Sequence, residues 1–362
     1  LDSLRAIAVF FVIVAHVFPR DLIDFSPFGV FGVQLVFCLS GFLITAILLN
    51  LKDCLEAGTE SLGFVLRRFY IRRSLRIFPL YYLALLLLIW IPPYREYIAD
   101  LWWFLLYGVN WLIVVRDSWL SHASHLWTLA IEEQFYLVWP AVVLLVPRRR
   151  FGALFMGLVV LSVGSRVGLT LAGWSTVTVG RPTFANLDSL VAGSWLAVLR
   201  GRGDETRAAR FASVAGWVGL SVLLLLLLAR QWWPVFPRTL GAGAQTLSIA
   251  GMSTWIIHRA SLGFGGWAGR ILAFGPLVYT GRISYGIYVL HNLIIAALLQ
   301  RVAHRVAFLN EILYPLQQVA LLGIFTVLSI MAAMLSWHLF EGPINNLKRH
   351  YPYRSSSGGS PA

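Results

Sequence analysis

Charge is what this sequence has least of: only 12% of its 362 residues are Asp, Glu, Lys or Arg, about half the ~25% usual in a soluble globular domain. That scarcity argues against an ordinary water-soluble enzyme. Cysteine is nearly absent too, with 2 in the chain: Cys38 inside an apolar run and Cys54 in a short connection. They offer neither a disulfide framework nor a thiolate metal site. There is no glycine-rich phosphate loop, which argues against an ATP-driven pump. There is no Gly-x-Ser-x-Gly elbow, so a serine acyl-enzyme has no support. His122 and His125 lie three apart with no third ligand at a suitable spacing, so no metal site is expected. The opening residues are polar at once and carry no cleavable leader, and the native start is expected upstream of Leu1. No segment is long enough to be an appended soluble enzyme.

Apolar residues are what the chain has in excess, 58% hydrophobic with a mean hydropathy of +0.74. The runs 25–51, 211–229, 239–257 and 312–340 hold no Asp, Glu, Lys or Arg. Each is near or above the ~20 residues that cross a hydrocarbon core. In lipid, only helices and closed barrels satisfy the backbone, and leucine-rich runs without alternation choose the helix. The expected fold is all-α, a polytopic membrane helix bundle of about ten transmembrane helices. The spans are expected at 4–18, 30–51, 77–92, 129–147, 151–172, 186–199, 211–229, 239–258, 275–299 and 315–337. A further apolar stretch, 101–115, reads as a re-entrant or interfacial segment, because Trp102, Trp103, Tyr107 and Trp111 suit a membrane interface.

The net charge of +13 would suggest nucleic acid in a soluble protein. Here the basic residues sit between apolar runs, so they read as topology, with the lipid bilayer and no nucleic acid as partner. With the N-terminus inside and 101–115 not crossing, 20 of the 29 Lys and Arg residues fall on the cytoplasmic side, as the positive-inside rule requires. An integral protein of the cytoplasmic (inner) membrane with both termini cytoplasmic follows. One domain is expected over 1–343, without convincing repeats, followed by a cytoplasmic tail, 344–362. The Ser/Gly/Pro-rich end of that tail, 355–362, is expected to be disordered.

Several polar residues interrupt the apolar pattern in ways that suit chemistry. Arg5 and His16 are eleven positions apart, which places them on one helix face and about 16 Å apart along its axis. Arg73 and Arg76 share a face at the inner boundary, as do Arg72 and Arg76. Arginine grips phosphate bidentately and is permanently charged. Glu132 begins a span on the same outer side as His16, where a carboxylate is costly and marks function by default. Tyr136 lies one turn below it. Glu133, about 100° round the helix, reads as an N-terminal acid offsetting the dipole. Ser284, Tyr288 and His291 form a polar stripe of the kind that joins membrane helices. Asp188 and Glu341 are expected to fix helix ends or to pair with inner arginines, and His338 to be interfacial.

Seven motifs occur in order from residue 1 to about 343. They are Asp2-Ser3-Leu4-Arg5 with His16; Phe31 to Phe37 with Ser40-Gly41-Phe42-Leu43-Ile44; Arg72-Arg73-Ser74-Leu75-Arg76-Ile77-Phe78-Pro79-Leu80-Tyr81; His125-Leu126-Trp127-Thr128-Leu129 with Glu132-Glu133-Gln134-Phe135-Tyr136; Leu187-Asp188-Ser189-Leu190 with Gly193; Ser284-Tyr285-Gly286-Ile287-Tyr288 with His291; and Phe340-Glu341-Gly342-Pro343. Together they resemble the membrane acyltransferase-3 family. The chain departs from that pattern at Thr128, where the family has Ser, and at Gln34, where it usually has Asp.

The resemblance implies an O-acyltransferase. It would move an acyl group, most often acetyl, from acyl-coenzyme A to a hydroxyl of a cell-surface glycan or its lipid-linked precursor, or to a small antibiotic-like acceptor. In that chemistry Arg5, Arg72, Arg73 and Arg76 would hold the coenzyme phosphates. His16 would be the general base, since an imidazole titrates near neutral pH. Glu132 would orient His16, stabilise its imidazolium, or bind the acceptor. Ser40, His125, Trp127, Tyr136, Ser284, Tyr285, His291 and Glu341 would support the site. Direct transfer in a ternary complex is favoured, with an acyl-histidine as its rival. The acetyl-coenzyme A is a donor substrate, and no metal is implied. Two other classes stay open: a transporter or flippase of an anionic ligand, which inverted repeats with interrupted helices would mark, and a noncatalytic scaffold.

Overall fold

In lipid the backbone must satisfy its own polar groups, and among the described residues every regular element is helical. The structure, a computed structural model, describes residues 1–18, 28–90, 98–120, 123–232, 238–306 and 314–353. His122 and the stretch 355–362, for which disorder was expected, lie outside the described residues.

Helix α1 (Asp2–Val17) carries Asp2 in its first turn and His16 in its last, each complementing the helix dipole. It packs against α2 (Phe28–Glu56), the most enclosed long helix: 67% of its apolar window is buried, against 17% for α7 (Phe151–Leu171) and α9 (Glu205–Trp232). The bundle is therefore built round α2, with α7 and α9 presenting apolar faces outward. α2 meets α8 (Leu187–Gly201) through two glycines. A methyl on Gly41 would run into the Leu190 carbonyl, and one on Gly193 into that of Cys38. Small residues are what let membrane helices approach so closely.

Polar groups pin these helices. The Lys52 ammonium, buried at the end of α2, donates to the Val143, Leu144 and Val146 carbonyls at 3.0, 2.9 and 2.8 Å. It thereby caps the C-terminus of α6 (Leu126–Leu145), whose last carbonyls have no helical partner. Asp188 opens α8 and receives Arg166 of α7, at 2.5 Å from Nη2 to Oδ2, with both side chains almost wholly buried.

The sequence-marked spans are helical where described, and among the described residues five helical stretches are long and apolar enough to cross a membrane: Phe28–Glu56, Leu126–Leu145, Arg148–Leu171, Glu205–Ala229 and Gln318–His350. α3 (Leu62–Trp90) is 29 residues long and carries the basic run from Arg67 to Arg76 within one helix. α10 (Arg238–Leu262) packs on α9. The apolar stretch 101–115 forms two short helices, α4 (Leu101–Leu105) and α5 (Val109–Arg116), of 5 and 8 residues. They are broken at Tyr107, whose φ is 53°. The Tyr107 carbonyl accepts from Gln134 Nε2 at 2.7 Å and its ring stacks on Tyr81 at 4.1 Å. Neither helix alone has the length to cross.

After α11 (Gly266–Leu272) comes a second break. The stretch 275–299, expected as one span, divides at Ile283 into α12 (Gly275–Arg282) and α13 (Ser284–Val306). The chain closes with α14 (Tyr314–Ser336), a π-helical turn over Trp337–Glu341 and the short α15 (Gly342–Asn346). Beyond α15 the backbone lies back on α3. Arg68 donates to the His350 carbonyl at 3.1 Å, and Arg72 to those of Lys348 and Tyr351 at 2.9 and 3.1 Å. The described part of the expected tail is thus strapped to the basic helix.

Candidate active site

Polar groups buried in a helix bundle must find partners or face a cavity, and here they define a path along α1. At the start of α1 lies a chamber of about 230 Å³ lined by Asp2, Arg5, Arg76, Arg282, Tyr285, Trp337, Glu341 and Asn345. Arg5 is held by Asp2 at 3.0 Å. Trp337 and Glu341 reach the chamber from the π-helical turn, a distortion frequent at functional sites. Glu341 accepts from Ser336 Oγ at 2.8 Å. Among the described residues it makes no ion pair, so it faces Arg5, Arg76 and Arg282 across the chamber rather than bonding an inner arginine.

Arg5, Arg76 and Tyr285 also line a second cavity of about 110 Å³ deeper in the bundle. Tyr285 is fixed in this shared wall by donating to the Ile77 carbonyl at 2.7 Å. This inner cavity gathers eight of the residues picked out from sequence: Arg5, Ser40, Arg73, Arg76, Glu132, Tyr136, Ser284 and Tyr285. Glu132 Oε1 accepts from Ser40 Oγ and, at 3.4 Å, from the Tyr136 hydroxyl. Its expected partner His16 is not in the cavity wall.

Val12, Thr128 and Tyr288 also line the cavity and form its roof on the side of His16 and His125. The Tyr288 hydroxyl donates to the His125 carbonyl at 2.6 Å and is bonded to Thr128 Oγ1. Thr128 Oγ1 also reaches the His125 carbonyl, at 3.3 Å. Directly beyond this roof stand three imidazoles. The His291 ring centroid is 5.0 Å from those of both His16 and His125, and the latter two are 6.5 Å apart. Each ring is oriented by a backbone carbonyl: His16 Nδ1 by Val12 at 2.7 Å, His291 Nδ1 by Tyr288 at 2.7 Å and His125 Nε2 by Val289 at 3.3 Å. A carbonyl only accepts, so these nitrogens carry the hydrogens. His291 therefore keeps a basic Nε2, which is buried without a hydrogen-bond partner among the described residues. His291 and His125 are buried, while His16 is exposed on one side. Among the described residues no three His, Cys, Asp or Glu groups are placed to hold a metal ion.

Two residues assigned to the site from sequence stand apart from it. Arg72 spends its guanidinium on the Lys348 and Tyr351 carbonyls and on the Tyr353 ring at 4.4 Å. Trp127 lies with Trp119 against Arg181, at 4.2 and 4.4 Å from the guanidinium carbon to the two ring centroids. Burial there lowers the Arg181 pKa to about 10. His338 accepts from or donates to the exposed Tyr279 hydroxyl at 3.0 Å. Gln34, at the position of the family's usual Asp, accepts from Ser189 on α8. The roof formed by Thr128 and Tyr288 was not foreseen, though both residues sit inside motifs that were.

A family model described as an acyltransferase domain matches residues 1–334. The chain is 29% identical to the peptidoglycan O-acetyltransferase of Listeria monocytogenes, over 82% of this chain and 49% of that protein. It is 26% identical to a putative peptidoglycan O-acetyltransferase of Bacillus subtilis, over 95% and 54% of the two. It is 28% identical to a putative O-acetyltransferase of Staphylococcus aureus, over 82% and 50%. The chain thus spans about half the length of the curated relatives it matches. No solved structure matches it.

Proposed function

The chain belongs to the membrane acyltransferase-3 family, and from that premise we propose that it transfers an acetyl group from acetyl-coenzyme A to a hydroxyl of a cell-envelope glycan, with peptidoglycan as the first candidate. The acceptor follows the relatives' names, and the donor follows the chemistry of the site. The observation that carries the reading is the ordered path from an arginine-lined chamber, through a mostly apolar-walled cavity, to a histidine cluster. That order matches an acyl donor whose charged nucleotide is joined to its thioester by a long neutral arm. We place the chamber at the cytoplasmic face of the inner membrane, with about ten crossings and both termini inside.

Within this reading Arg5, Arg76 and Arg282 receive the phosphates, with Arg73 deeper in the wall. The arm lies in the inner cavity and brings the thioester under the roof. A shift of Tyr288 then lets the thioester meet His16, and until it occurs the roof keeps water away from the donor. His16 Nε2 takes the acceptor's hydroxyl proton as the oxygen attacks the thioester carbonyl. The tetrahedral intermediate collapses with cleavage of the C–S bond, and the imidazolium returns the proton to the leaving thiolate. The products are an O-acetyl ester and the free coenzyme thiol. His291, whose basic Nε2 has no hydrogen-bond partner among the described residues, stabilises the charge that His16 acquires.

Purified protein in lipid nanodiscs, given acetyl-coenzyme A and a soluble glycan fragment, tests the proposal. Thiol release and an acetyl ester on the glycan are expected, with His16→Ala slower by about 10²–10⁴-fold. Donor binding without thiol release from the wild-type protein would instead place it among transporters.

A further inference from the structure

Glu133 reads from sequence as a helix N-terminal acid, but α6 begins at Leu126. Glu133 is therefore in its third turn, beyond the first turn where the dipole acts. It lines the inner cavity beside Glu132. The two neighbours differ in their bonding. Glu132 Oε1 is satisfied by Ser40 and Tyr136, whereas Glu133 Oε1 is buried without a hydrogen-bond partner among the described residues. Arg73 lines the same cavity, and its Nε is likewise buried and unpartnered. Among the described residues the two form no ion pair with each other.

One cavity therefore holds an acceptor that lacks a donor and a donor that lacks an acceptor. Leaving such groups buried and unmet is unfavourable, so the best occupant supplies an N–H and a C=O together. A phosphate would satisfy Arg73 but be repelled by Glu133. A hydrocarbon tail would satisfy neither. A secondary amide satisfies both. Val33, Phe37, Ile77 and Leu129, also in the wall, suit the methylenes that flank such a group.

We propose that Glu133 and Arg73 form an amide clamp for the arm of the acyl donor. Glu133 accepts the N–H and Arg73 donates to the C=O of one of the two amides in pantetheine. The clamp rests on the donor reading given above. It makes the pair specificity-determining residues that select thioesters whose thiol end is followed by an amide.

Two small donors separate the possibilities. S-acetyl-N-acetylcysteamine retains the amide nearest the sulfur, and S-acetylpropanethiol lacks it. The wild-type protein is expected to prefer the first by about tenfold or more in kcat/KM, since a site built to hydrogen-bond a substrate N–H discriminates against an analogue without it. Glu133→Ala should bring the two within about twofold. Glu133→Gln, whose amide oxygen still accepts, should keep most of the preference. Because each ratio is taken on one preparation, loss of folded protein cancels. A wild-type protein without preference, or an undiminished preference in Glu133→Ala, overturns the clamp. So does a Glu133→Ala variant inactive with both donors, because the amide-free donor uses neither group. The donor reading fails separately, if the wild-type protein releases no thiol from acetyl-coenzyme A.

Discussion

At the scale of single residues, the histidines carry the most information. A lone imidazole at a span end is usually a boundary residue, but His16 stands 5.0 Å from a buried ring whose own basic nitrogen has no hydrogen-bond partner among the described residues. A charge-assisted hydrogen bond is worth ~1.5–3 kcal/mol, so the loss of His291 should slow turnover by about 10–100-fold at 1.4 kcal/mol per factor of ten. The expected signature in steady-state kinetics is a lower kcat for His291→Ala with the KM for acetyl-coenzyme A unchanged. His291→Gln should recover part of the rate, since its amide oxygen can accept the same hydrogen. A raised KM with unaltered kcat would mean that the ring binds the donor instead. Sequence alone directs attention to His16 and to His291 separately, but not to their meeting. Helical periodicity gives the azimuth of a side chain about its own axis. It says nothing about which helices adjoin, so Glu132 seemed the natural companion of His16. The fold gives Glu132 to Ser40 and Tyr136.

At the scale of elements, most helices were legible because hydrophobic runs leave no other way to satisfy a backbone in lipid. The breaks were less so. Within 275–299 only Gly281 and the charged Arg282 hint at the division at Ile283, and Tyr107 adopts its positive φ because Gln134 and Tyr81 hold it there. The union of α7 with α8 was also hidden, since Arg166 and Asp188 are 22 positions apart. This buried pair makes a sharp prediction. Removing one partner of such a pair strands the other charge and costs about 3–5 kcal/mol, whereas replacing both with apolar residues is often neutral. In thermal unfolding in detergent, Asp188→Ala should lower Tm markedly. The double variant Arg166→Met with Asp188→Leu should recover most of the loss. Equal destabilisation by the single and double variants would show that the ion pair itself holds α7 to α8.

At the scale of the whole molecule, the path from arginines to histidines has a direction, and that direction sets the sidedness of the reaction. Arg5 and His16 lie on one uninterrupted helix, so their axial separation is about 16 Å, roughly half of a ~30 Å hydrocarbon core. On the proposed reading, with the basic rim inside, the donor arm has only to cross the inner half of the membrane, and the acceptor reaches His16 from the outer half. His16 is exposed, while Tyr288 stands in the cavity wall. That reading has the two substrates approach the base from opposite leaflets. In proteoliposomes with the protein inserted in one orientation, acetyl-coenzyme A should support acetylation only from the compartment holding the C-terminal strap of residues 347–353. A membrane-impermeant glycan fragment should be acetylated only in the other compartment. Equal rates with both substrates on one side would remove the need for a path through the bundle, and the chamber and the cavity would then have to belong to different ligands.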